Sequence, residues 1–476
     1  MAVDLPYPLT KPASSSRMLR LSMELPFEDG LGRLSYGDDV SSVVQFSVHD
    51  GQLGVRRGEV KMGGGVARLP EDDGISLSGT LPYLSADEYR KWMVSLSDGA
   101  TRSARDSAGK EGGMAHGGDL KRINLRLDKL DVVGRQLSNV VLNAEKEVDH
   151  WQLQLASDEV AGVIQLSDSP TQPLVMDLDY IKLARVADDT VGDTAREENV
   201  SEEGESADPR QLPPLQIDSK RFIYDGHDFG QLALRTSRHP VGLRVEKVGL
   251  ISRHMVVTAH GTWIVVNGKQ SSSFNVLAQT DDLGDTLELL GFKKSIRGGE
   301  GKGSALLSWP GSPAQFSAKG LDGTLNIKLE DGVVVDVEPG AGRLFGLFSF
   351  QALPRRLILD FSDLFSSGFE FDKIKGSFSI EDGNAYTSDL FMQGTAAEIT
   401  IEGRVGLGKK DYDQIVTVTP EISSTLPVIG ALLSSVNVGA AVWALQRVFA
   451  PDLDEDSQVK YRVSGSWNDP QVEPLR

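Results

Sequence analysis

The residues that could do chemistry are few, and their spacing does not suit it. The stretch Gly298-Gly299-Glu300-Gly301-Lys302-Gly303-Ser304 comes nearest to a phosphate-cradling loop. A P-loop needs a glycine six places before its lysine and a hydroxyl residue directly after it. Ile296 and Gly303 hold those places here, and Glu300 would repel an anion. The stretch reads as a flexible turn. The seven histidines are dispersed. His254 and His260 are six apart, with no third ligand at metal spacing and no His-Glu-x-x-His. There is no cysteine, which excludes thiol nucleophiles, zinc–thiolate sites, iron–sulfur clusters and disulfides. No Gly-x-Ser-x-Gly elbow starts a serine-hydrolase reading, and no Gly-x-Gly-x-x-Gly opens a helix after a strand. Carboxylates are plentiful, but they stand in Asp-Gly turns and on the polar sides of alternating runs, where solvation explains them. No catalytic residue, metal ligand or cofactor is therefore assigned, and the chain is expected not to be an enzyme.

The elements that would have to position a site give a clearer signal. Leu19-Arg20-Leu21-Ser22-Met23-Glu24-Leu25 alternates apolar and polar residues. So do the runs holding Leu125 and Leu127, Leu153 and Leu155, Leu325, Ile327 and Leu329, Ile399 and Ile401, and Val416 and Val418. Successive side chains of a strand point to opposite faces, so each run has one oily and one wet side. Asp-Gly pairs at 50–51, 73–74, 225–226, 322–323, 331–332 and 382–383 supply hairpin turns. The 50 glycines and 21 prolines suit the same strand-rich body. Gly261-Thr262-Trp263, Leu307-Ser308-Trp309 and Gly465-Ser466-Trp467 form a loose repeat in which a tryptophan closes a strand. The fold class expected is mainly β: an elongated, curled antiparallel sheet with a few short helices. Two of these helices are read at 281–292 and 343–353.

Charge and composition divide the chain further. Its 49 basic and 68 acidic residues leave a net charge of −19, a field that repels polyphosphate and argues against a nucleic-acid partner. Residues 101–118 are rich in glycine, serine and alanine and read as a flexible loop; 187–214 read as an acidic linker. Residues 422–446 carry no charge and are expected to form an apolar C-terminal helix. Gly430, Ser434, Ser435, Asn437 and Gly439 lower its hydropathy, so packing or lying along a surface suits it better than spanning a bilayer. Val428, Ile429, Leu432, Leu433, Val436, Val442 and Trp443 are its candidate membrane-contact or capping residues. The expected organisation is a β-module over 1–100, the loop, a second module over 119–186 and the acidic linker. Further modules over 215–421, the apolar segment over 422–450 and a closing strand and tail over 451–476 complete it.

A long sheet with one apolar face and few helices must cover that face in some other way. Curling it into a gutter produces an oily concave side, which is what a lipid tail requires. Burying one methylene is worth about 0.8 kcal/mol, so two acyl chains gain on the order of 20 kcal/mol from such a lining. The candidate lining residues are Leu125, Leu127, Leu153, Leu155, Leu325, Ile327, Leu329, Ile399, Ile401, Val416 and Val418, with phospholipid acyl chains as the ligand.

One region resembles a known family. The run Val337-Glu338-Pro339-Gly340-Ala341-Gly342-Arg343-Leu344-Phe345-Gly346-Leu347-Phe348 leads into Leu353-Pro354-Arg355-Arg356-Leu357. Together with Leu359-Asp360-Phe361-Ser362-Asp363-Leu364-Phe365, Met392-Gln393-Gly394-Thr395-Ala396-Ala397 and Gly465-Ser466-Trp467 it resembles the YhdP family of the AsmA-like superfamily. The resemblance is specific from about residue 215 onward. It implies a periplasmic, membrane-associated β-groove, built from bridge-like lipid-transfer modules, that conducts phospholipid between the inner and outer membranes of a Gram-negative envelope. Members of the family are longer and begin with an inner-membrane anchor, so this chain resembles a C-terminal portion. The competing expectation is a structural or assembly factor of the envelope, acting as a scaffold or in outer-membrane protein biogenesis, with a β core filled by its own side chains. Envelope protein partners are not identified by sequence.

Overall fold

The computed structural model describes residues 7–9, 17–49, 52–89, 119–132, 134–169, 171–184, 207–291, 296–335, 369–395, 397–420, 458–467 and 469–475. They are mainly β, arranged as an open mixed sheet with few helices. The chain divides into two units, one of residues 1–186 with 215–226 and the other of residues 187–214 with 227–476.

In the first unit, alternating runs become β1 (Leu19–Met23), β2 (Leu31–Tyr36), β3 (Val40–His49), β4 (Gln52–Met62), β5 (Gly74–Ser85) and β6 (Leu120–Val132). They continue as β7 (Arg135–Lys146), β8 (His150–Ala156), β9 (Val160–Ser167), β10 (Leu174–Leu183), β11 (Leu215–Ser219) and β12 (Phe222–Tyr224). Most neighbours are antiparallel hairpins, as the short turns require. The pairings β4–β5, β5–β6, β10–β11 and β10–β12 are parallel exceptions within a sheet that is otherwise mostly antiparallel, as expected. The physical reason lies in the connections. A parallel neighbour needs a return of roughly a dozen residues or more, and the segments 63–73, 86–119 and 184–214 precede β5, β6 and β11.

The second unit holds β13 (His227–Asp228), β14 (Gln231–His239), β15 (Gly242–Ile251), β16 (Met255–Val266), β17 (Lys269–Thr280), β18 (Ile296–Pro310) and β19 (Asp322–Val334). It closes with β20 (Phe369–Glu381), β21 (Asn384–Gly394), β22 (Ala397–Gly406), β23 (Asp411–Pro420), β24 (Val459–Ser466) and β25 (Asp469–Leu475). From β14 to β25 each strand pairs antiparallel with the next in sequence. Among the described strands β25 pairs only with β24, and in the first unit β1 pairs only with β2, so neither closes into a barrel.

Local chemistry explains the turns. Asn267-Gly268 and Asp382-Gly383 both have positive φ at both positions, as tight hairpin turns demand. Asp331-Gly332 does not turn the chain. Asp331 sits at φ 56° inside β19, and the ladders on both sides skip it without a change of register. The glycine-rich stretch 298–304 is likewise not a flexible turn, for it forms much of β18 and pairs on both sides. Its side-chain-free positions admit neighbours: a Cβ on Gly301 would stand 3.0 Å from the Thr280 methyl and 3.2 Å from Leu329.

The helix expected at 281–292 is α1 (Leu283–Leu289), capped by the Asp282 carboxylate, which accepts from the Asp285 N–H. The helix expected at 343–353 and the apolar segment 422–446 lie outside the described residues, and so do Val428, Ile429, Leu432, Leu433, Val436, Val442 and Trp443. No helix among the described residues is long and apolar enough to cross a membrane.

Candidate functional site

Register shows which side chains share a face. In the first unit Leu21, Leu34, Ser42, Val60, Leu77 and Ile123 are successive cross-strand partners on β1 to β6. The same line continues through Ala144, Leu153, Ile164, Met176 and Ile217 on β7 to β11. Ten interstrand steps of about 4.8 Å make it roughly 48 Å long. Ser42 is its only polar member. A second line, one step along every strand, holds Leu19, Tyr36, Val40, Met62, Gly79, Leu125, Leu142, Leu155, Gly162, Leu178 and Ser219. Its two glycines stand where strands approach closely: a Cβ on Gly79 would overlap the Met62 carbonyl oxygen, and one on Gly162 the Asp177 carbonyl oxygen. Leu127 pairs with Val140 and Leu81 beside this line.

The second unit repeats the arrangement. Leu234, Val248, Ala259, Val276, Ala305, Leu325 and Phe378 run in register across β14 to β20. Thr280, Gly301, Leu329, Ile374, Met392, Ile399, Val418 and Val459 cross β17 to β24. Ile327 pairs with Gly376 and Gly303, while Leu390, Ile401, Val416 and Tyr461 continue the same side on β21 to β24. Every candidate lining residue among the described strands thus lies on the apolar face of its own unit.

Burial separates these candidates. Leu153, Leu155, Leu325, Ile327, Leu329 and Val418 are half-buried, so their apolar surface is incompletely covered. Leu125 (4% exposed), Leu127 (3%), Ile399 (5%), Ile401 (1%) and Val416 (1%) are enclosed. In the second unit Phe371, Ala385, Val405 and Val463, on β20, β21, β22 and β24, are fully buried. The inward positions Leu234, Val248, Ala259 and Val276 of β14–β17 are half-buried and pack against the same cluster. These four did not stand out in the sequence because their runs contain polar or glycine interruptions. Extrapolating the parity of each strand would have found them.

The tryptophans close one margin of the second unit. Trp309 stacks on Phe274 with ring centroids 5.5 Å apart and donates from Nε1 to the Ser312 carbonyl at 3.1 Å. Trp467 donates to the Asp411 carbonyl at 3.2 Å, and Trp263 to Gln270 Oε1 at 3.0 Å. Tyr412 lies beside Trp467, and burial pushes its phenol up to about 12.

The opposite, polar face is ordered by charge. Arg404 grips Asp411 through two bonds of 2.8 and 3.1 Å, and this contact holds the Asp411 carboxyl below its usual range. A hollow of about 550 Å³ over β19–β22 includes Lys375, Ser377, Asp389, Phe391, Thr400 and Glu402 in its lining. Partial burial opposes the Asp389 charge, but bonds from the Ser377 N–H and Oγ and from Thr387 outweigh it and lower the pKa. The Asp389 carboxylate already has partners. Among the described residues no cluster of His, Asp and Glu could hold a metal ion. The arrangement offers long apolar contact along each unit.

Comparison with known proteins points the same way. The model of the family described as YhdP protein matches residues 1–472. The chain is 26% identical over 405 residues to the Intermembrane phospholipid transporter YhdP of Escherichia coli (strain K12), covering 85% of this chain and 31% of that protein. It therefore spans about a third of the length of that curated relative. No solved structure matches the chain.

Proposed function

The chain belongs to the YhdP family, and from that premise we propose that it is a non-catalytic lipid conduit whose apolar sheet faces carry the acyl chains of phospholipid. In this reading it works in the periplasm, associated with the inner or outer membrane or both, as the C-terminal part of a longer path between them. The 187–214 segment links successive β-modules, and the apolar segment near the C-terminus caps the path or contacts a membrane.

The observation that carries the proposal is the register-matched apolar line of the first unit, eleven strands long with one serine in it. A hydrocarbon chain sliding along such a line exchanges one apolar contact for another. Its free energy then varies little with position, whereas leaving for water costs about 0.8 kcal/mol per methylene. The relative's name, an intermembrane phospholipid transporter, supports lipid as the cargo.

The test is photo-crosslinking from single positions on the two faces. A photoreactive residue at Leu153, Leu325 or Ile327 should capture phospholipid in cells, and one at the outward neighbours Asn326 or Lys328 should not. Equal labelling of both faces, or none from the inward set, would overturn the proposal. The second reading, an envelope scaffold with a filled core, is favoured at one place by the complete burial of Phe371, Val405 and Val463. Native mass spectrometry after mild extraction separates the two. Co-purifying phospholipid supports the conduit; a lipid-free protein supports the scaffold.

A further inference from the structure

One side chain on the enclosed part of the apolar face does not belong there chemically. Gln414 is 1% exposed, and neither its Nε2 nor its Oε1 has a hydrogen-bond partner. Strand parity places it between Tyr412 and Val416, both inward and buried. Its cross-strand partners are Gly403 and Val463, which offer no polar side-chain atom, and Val463 is fully buried. Thr387, the next inward position across Gly403, has its hydroxyl engaged with Asp389. Burying an amide without partners is strongly unfavourable, and a leucine or methionine would fill the place without that cost. An acceptor brought in from outside would satisfy the Nε2 donors.

We infer that Gln414 is a polar station on the apolar face that binds the ester carbonyls of a diacyl lipid, the Nε2 amide donating to a carbonyl oxygen. The inference rests on the conduit reading and deepens it. A carbonyl attached to hydrocarbon is the kind of acceptor that can enter an apolar lining, because its own chain pays for the burial. An ionised fatty acid would bring a bare charge beside Gly403 and Val463, neither of which could pair with it, at a far higher cost. The station thus selects esterified lipid and fixes where along the face its glycerol end rests.

The experiment compares a phosphatidylethanolamine carrying two ester-linked oleoyl chains with its diether analogue, which lacks the carbonyls. Each is titrated into the purified full chain with a fluorescent-tail readout. The wild-type protein should hold the diester about fivefold more tightly, the worth of one hydrogen bond. Gln414→Leu should lose that preference while melting no lower than wild type. Equal affinity of the wild type for the two lipids would overturn the station, as would a preference that survives in Gln414→Leu. The ratio in the wild type decides the matter even where the variant fails to fold. Binding of neither lipid by the wild type would instead remove the conduit reading, and this station with it.

Discussion

At the scale of single residues, exposure decides what a charge on the apolar face would do. Leu325 and Ile327 are half-buried, so an aspartate at either place can keep contact with water. Leu325→Asp and Ile327→Asp should retain the β-sheet circular dichroism of the wild type and lose lipid crosslinking. Ile401 faces the same way but is 1% exposed. Ile401→Asp buries an unpaired charge and should destabilise the fold by on the order of 4 kcal/mol or more, seen as a collapse of the thermal transition. The sequence revealed the facing of all three through simple alternation. It did not reveal their different burial, which depends on what else packs over each strand. Gln414 was missed for a related reason. The run Tyr412-Asp413-Gln414-Ile415-Val416 reverses its pattern, leaving Ile415 outward at 43% exposure and the amide inward.

At the scale of strands and turns, two contacts are open to direct test. Trp309 is 9% exposed and stacks on Phe274. Trp309→Ala should cost about 3–5 kcal/mol, measurable by urea denaturation. The Arg404–Asp411 pair ties β22 to β23 and lowers the Asp411 pKa. A carboxylate whose pKa is lower folded than unfolded contributes stability that is complete above its unfolded value of about 3.9. That contribution drains away as pH falls through the lower folded value. Asp411→Asn should therefore narrow the stability gap from wild type as the solution is acidified below about pH 4. A gap that stays constant from pH 7 to pH 2 would contradict the coupling. The strands themselves were legible from alternation, whereas the stretch 298–304 was not, and Asp322-Gly323 and Asp331-Gly332 lie inside β19 rather than at turns. Glycines carry no side-chain pattern, and only the neighbouring ladders reveal them as strand. The parallel returns before β5, β6 and β11 were equally hidden, because alternation tells which way a side chain faces and not which way the strand runs.

At the scale of the whole molecule, β1 of the first unit and β25 of the second are chemically unequal as edge strands. Among the described strands β1 pairs only with β2 and exposes Leu19 at 65%, Leu21 at 59% and Met23 at 50%. β25 carries Pro470 and Pro474 at the same strand parity. In an antiparallel ladder alternate N–H groups point away from the partner, so these prolines remove donors from the open side. Replacing both with valine should create a pairing-competent edge and raise self-association, read by sedimentation velocity. Leu21→Lys should lower any self-association that starts from β1.

The pairing of β14 through β25 in chain order also bears on how such a protein changes length over evolution. Each strand touches mainly the one before and the one after, so a duplicated hairpin can be spliced in without redesigning its surroundings. Two added strands preserve the up-and-down direction and extend the span by about 9.6 Å. A single added strand would reverse everything downstream unless a long return of the 63–73 kind came with it. Homologues are thus expected to differ in size by increments of two strands, with odd counts confined to places where a long connection absorbs the reversal.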